Sequence, residues 1–90
     1  MAHIRRHQNK LLPRVRRIGG QVAAIEAALQ GEADCADVLV QIAAVRGAVH
    51  GLMMEVLGAH LAEHVGAERD ARKRARELAA VAALMRTYLR

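Results

Sequence analysis

The sequence predicts an all-α fold, with three helices per chain and two chains completing an antiparallel four-helix bundle. Three observations predict it. First, two long stretches carry apolar residues in alternating steps of four and three, the spacing of a seam along a helix. They are Leu11, Val15, Ile18, Val22, Ile25 and Leu29, then Val38, Ile42, Val45, Val49, Leu52 and Val56. Second, hydrophobic residues make up 53% of the 90, yet Trp and Phe are absent and Tyr88 is the one aromatic. Ala supplies much of that fraction, so a lone chain has little from which to build a core. Chains of this size usually lean on metal, disulfides or oligomerisation. Third, the short segment Gly31-Glu32-Ala33 joins the two seam-bearing stretches, and short connections join antiparallel neighbours. Residues 1–90 therefore read as a single domain.

The first helix is expected over about 5–29. Pro13 lacks an N–H and is tolerated only near a helix start, so the helix either begins near residue 12 or bends there. Gly19-Gly20 inside the pattern costs about 1 kcal/mol each relative to Ala, and close approach of another backbone would offset it. Gly31 stops the helix. The second helix opens after Asp34, a residue type that caps the first turn, and runs to about Gly66. The third is expected over about 68–89. It starts in the mixed-charge run Glu68 to Glu77 and carries a stripe of Leu78, Val81, Met85 and Tyr88.

Net charge is +5 and unevenly placed. Arg5, Arg6, Lys10, Arg14, Arg16 and Arg17 all precede the first acidic residue, Glu26. On a helix, Lys10, Arg14 and Arg17 share a side and Arg16 flanks them. Such a face fits phosphates, and the lack of stacking aromatics favours duplex over single strands. The alternatives are an ordinary solvated face or an organelle transit peptide, and the second is disfavoured by the amphipathic pattern that follows directly. No apolar run reads as long enough to span a membrane, and no signal peptide is visible. A single Cys excludes an internal disulfide and fits a reducing cytoplasm.

Metal-binding chemistry gathers on the second helix. His60 and His64 stand four apart, so they share a face and can hold one ion. Cys35 lies 25 residues earlier, roughly 37 Å along a straight helix, and cannot reach them within one chain. An antiparallel second copy would bring Cys35 of one chain beside His60 and His64 of the other. Near the amino terminus, trimming of Met1 would leave the amine of Ala2 beside His3, a nitrogen donor pair for a borderline metal; the plainer reading is a solvated tail. Cys35 in a first turn gains thiolate character from the helix dipole, although a buried structural Cys is the competing reading. Residues 60–64 also spell His-x-x-Glu-His, the inverted zinc-protease motif. So short a chain has no room for the rest of such an enzyme.

The segment Arg14-Val15-Arg16-Arg17-Ile18-Gly19-Gly20-Gln21, then Cys35, the block from Gln41 to Met53, His60, His64 and the closing Tyr88-Leu89-Arg90 resemble the CsoR/RcnR/FrmR repressors over nearly the whole chain. The resemblance implies antiparallel dimers pairing into a homotetramer. It implies an apo-protein bound to double-stranded operator DNA without a helix-turn-helix, released by an inducer. Arg14 and Arg17 match the family's DNA-contacting positions, and no enzymatic activity is implied. Cu(I)-sensing members carry a second Cys where His64 stands, which disfavours Cu(I). The nickel/cobalt-sensing subgroup carries a donor set matching His3, Cys35, His60 and His64, with the amine of residue 2 also ligating. Ni(II) or Co(II) is therefore the expected inducer, and Zn(II) would bind in vitro. In formaldehyde-sensing members the N-terminal amine and the Cys become bridged, which here would use Ala2 and Cys35. Ala2 in place of Pro, and His64 in place of Glu, argue against that chemistry. His50, where the family usually has Asn, and Pro13 depart from the pattern. A metal-buffering protein without operator binding is the alternative from a different class.

Overall fold

The computed structural model describes residues 7–89. Helix α1 spans Gln8–Gln30, α2 spans Cys35–Leu61 and α3 spans Ala71–Tyr88. A π-helical turn, Ala62–Gly66, continues α2. The order is the one expected, with sharper boundaries. α1 passes straight through Pro13 rather than starting at it. The lost N–H falls in the second turn, where one i→i−4 bond is forgone while the flanking helix stays regular. Gly31 terminates α1 in an extended conformation, its N–H reaching the carbonyls of Ala27 and Ala28. Asp34 occupies the N-cap position of α2, but its carboxylate accepts no capping hydrogen bond. The third helix begins later than its charge run suggests. Asp70 is the N-cap, accepting from the backbone N–H of Arg72 at 3.0 Å and of Lys73 at 3.5 Å. Glu68 and Arg69 stay outside the helix, and the Glu68 carbonyl accepts from Arg74 Nη1 at 2.7 Å.

The chain measures 57 × 28 × 15 Å. A thickness of 15 Å is little more than one helix with its side chains, so the helices form a single layer and cannot enclose an interior. Among the described residues only Leu11, Ala59 and Val81 are buried hydrophobics. The hairpin of α1 and α2 splits each seam in two. Ile18, Ile25, Val38, Val45 and Leu52 are half-buried, whereas Val15, Val22, Leu29, Ile42 and Val49 remain exposed. α3 turns back beside α2, and between them lies an open apolar groove lined by Val49, Met53, Leu57, Leu84, Met85 and Tyr88. The accessible surface is 7122 Å², against about 5,200 Å² for a folded monomer of this mass. The radius of gyration is 17.2 Å, against roughly 12 Å for a compact domain of this length.

Two further expectations change. Nothing comes within 4 Å of a Cβ built on Gly19 or Gly20, so the close backbone approach that would offset them is not made within the chain. Helix α2 with its π turn, Cys35–Gly66, is long and apolar enough to cross a membrane by length and composition. The expectation that no run reaches that threshold is corrected. The Ala- and Val-rich stretch spreads its charged residues thinly along the helix.

Candidate inducer site and nucleic-acid face

The two ends of α2 carry the donor side chains. Cys35 is its first residue and is exposed. At the other end, the imidazoles of His60 and His64 lie with ring centroids 4.7 Å apart and planes tilted by 33°. The four-residue spacing thus brings the pair together as the sequence indicated. His60 Nε2 stands 3.4 Å from Glu77 Oε2 on α3. His64 Nε2 is enclosed and, among the described residues, has no hydrogen-bond partner. A buried imidazole nitrogen left unpaired is costly, and a neutral imidazole with a free nitrogen is a ready ligand for a borderline divalent ion. The pair therefore fits the donor chemistry of a metal such as Ni(II), Co(II) or Zn(II).

Two features here were not foreseen. The π turn, closed by Ala67 N–H to Ala62 carbonyl at 2.9 Å, widens the backbone where His64 sits. Such turns recur at functional sites, but no residue pattern announces this one. Glu77 reaches His60 from another helix, and a contact between elements leaves no periodic trace in the sequence.

Cys35 takes no part in this cluster within the chain. α2 is unbroken from Cys35 to Leu61, and 25 residues of helix place the sulfur roughly 37 Å from His60. Among the described residues, no three His, Cys, Asp or Glu side chains converge on a common point. Ala2 and His3 lie outside the described residues.

The basic residues of α1 divide into two kinds. Lys10, Arg16 and Arg17 are exposed and, among the described residues, make no ion pair. Arg14 instead leans across to α2. Its Nη1 donates to the Gly51 carbonyl at 3.2 Å and to Glu55 Oε2 at 2.8 Å. Glu55, one turn on from Gly51, supplies the countercharge. Arg46 and His50 are exposed and, among the described residues, form no hydrogen bond.

Residues 7–88 match the family described as "Metal-sensitive transcriptional repressor". The chain belongs to this family of transcriptional repressors. As a metal-sensitive repressor it falls among proteins that regulate transcription and not among enzymes. It is 43% identical to the transcriptional repressor RcnR of Escherichia coli (strain K12) over 90 residues, covering both chains completely. An uncharacterised protein encoded in the bioA 5′ region of Serratia marcescens is 46% identical, again over the full length of both. Among solved structures, a Glu-to-His variant of the formaldehyde-responsive regulator FrmR from Salmonella enterica serovar Typhimurium superposes with a TM-score of 0.86. That chain is 42% identical, and the match covers 97% of this chain and 99% of the other.

Proposed function

We propose that this repressor binds double-stranded operator DNA in the cytoplasm and releases it on binding Ni(II) or Co(II), derepressing a metal efflux or detoxification gene. The observation that carries the choice of inducer is the imidazole pair at the end of α2, with His64 Nε2 enclosed and, among the described residues, unpartnered. The ligands are His3, Cys35, His60 and His64. One thiolate with several nitrogens suits Ni(II) and Co(II), and it also accepts Zn(II) in vitro. Because Cys35 and the imidazoles sit at opposite ends of one unbroken helix, the set is completed between two chains. An antiparallel homodimer, assembling further to a homotetramer, supplies that arrangement. The exposed half of each seam and the excess of accessible surface support it. In the same reading the apolar length of α2 lies against a second hairpin, not in lipid. Lys10, Arg14, Arg16 and Arg17 on α1 contact phosphates, and residues 1–90 act as one domain. Release requires tighter inducer binding by the DNA-free state, and the coupling is reciprocal.

A formaldehyde-responsive repressor using Cys35 and the amine of Ala2 is the second reading. It is favoured by the exposure of Cys35 and by the likeness to a formaldehyde-responsive regulator. One titration separates the two. The protein–operator complex is challenged with Ni(II), Co(II), Zn(II) and formaldehyde in a mobility-shift assay. Release by Ni(II) or Co(II) is expected, with Cys35→Ala and His64→Ala each abolishing it while apo binding persists. Release by formaldehyde alone would overturn the metal reading.

A further inference from the structure

We propose that Glu55 competes with DNA phosphates for Arg14, and so sets how many cations α1 presents to the duplex. This rests on the reading that the chain binds duplex DNA through α1. In the sequence, the basic run of α1 meets no acid before Glu26. In the fold, one is brought to it from a different helix. Arg14 and Glu55 are 41 positions apart, yet Nη1 and Oε2 stand 2.8 Å apart, with the Gly51 carbonyl as a second acceptor at 3.2 Å. The guanidinium lies over Gly51, at 3.6 to 3.8 Å from where a Cβ would stand.

The pair is held but not sealed. The two side chains are 39% and 38% exposed, so water and ions reach both, and Arg14 can change partners without unfolding either helix. An ion pair this exposed stabilises the fold only slightly, and a phosphate oxygen offers the guanidinium an acceptor of the same charge with better bidentate geometry. The exchange is therefore close to balanced, and its position depends on the Glu55 carboxylate. With Arg14 on Glu55, the exposed cations of this face are Lys10, Arg16 and Arg17; with Arg14 released, the face gains one phosphate contact.

The test compares wild type, Glu55→Gln and Glu55→Asp for affinity to an operator duplex across a salt series, each also on an Arg14→Ala background. Glu55→Asp retains the net charge but withdraws the carboxylate, which separates the specific exchange from a general change in potential. Circular dichroism and sedimentation confirm that each variant keeps its helices and assembly. Both variants should bind about two- to five-fold more tightly at low salt, the ratio corresponding to an exposed ion pair. The plot of log affinity against log salt should steepen by about 0.9 per Arg14 released. Both gains should vanish without Arg14. Unchanged or weaker binding, or a gain that persists on the Arg14→Ala background, overturns the competition. Loss of helices in one variant leaves the other to decide, and if both unfold the pair is a structural requirement and the inference is wrong. Failure of the wild-type protein to bind duplex at low salt would instead refute the repressor reading itself.

Discussion

The sharpest expectation concerns assembly, because the single chain is one helix layer thick. Its accessible surface exceeds that of a compact monomer of equal mass by roughly 1,900 Å². Covering that excess in both copies of a dimer removes roughly 3,800 Å², within the range of obligate homodimers. The perturbation is Val49→Glu. Val49 is 41% exposed in the single chain and lies on the seam of α2 where it borders the groove with α3. A carboxylate introduced there is solvated in the monomer but buried and unpaired in the dimer. At about 3 kcal/mol per buried unpaired ion and two copies per dimer, association weakens by about 6 kcal/mol, or about 10⁴-fold. Sedimentation velocity at about 10 μM should show wild type as a dimer or larger. Val49→Glu should shift it to monomer with reduced helical circular dichroism. A wild-type protein that sediments as a monomer with full helicity would refute the reasoning, and so would a Val49→Glu variant that assembles like wild type.

Three further expectations follow from particular side chains. Asp70→Ala removes the acceptor for Arg72 and Lys73 N–H and should cost about 1 kcal/mol; thermal circular dichroism should show Tm lower by several degrees. Leu11→Ala hollows one of the few buried positions, 5% exposed, and should cost about 2–5 kcal/mol, read as a lower denaturant midpoint at unchanged slope. Arg17 is exposed and, among the described residues, makes no ion pair, so Arg17→Ala should weaken duplex binding for all sequences alike and flatten the salt dependence by about 0.9. An unchanged salt slope would remove Arg17 from the phosphate-contacting set.

The sequence was most legible where local chemistry decides. Seam spacing marked the two long helices, and Gly31 marked the turn between them. The four-residue step from His60 to His64 was enough to predict their meeting, because a helix imposes it. Legibility failed where the deciding partner is distant in the chain. Asp34 was expected to cap its helix but makes no capping bond, whereas Asp70, not singled out in the sequence, does, since side-chain torsion and not residue type decides whether a carboxylate reaches the N–H groups. Arg14 read as one member of a free basic stripe until tertiary structure brought Glu55 against it. The close approach expected at Gly19-Gly20 is not found within one chain, which has only one neighbouring helix layer to offer.

The uninterrupted course of α2 has a consequence for mixed assemblies. In an antiparallel pair, each subunit contributes its thiol to one pole and its imidazoles to the opposite pole. Combining a chain lacking only Cys35 with a chain lacking only His64 then concentrates both defects at one pole and leaves the other whole. Such a heterodimer, built from two subunits that are each inert as homodimers, should recover half of the sensing capacity.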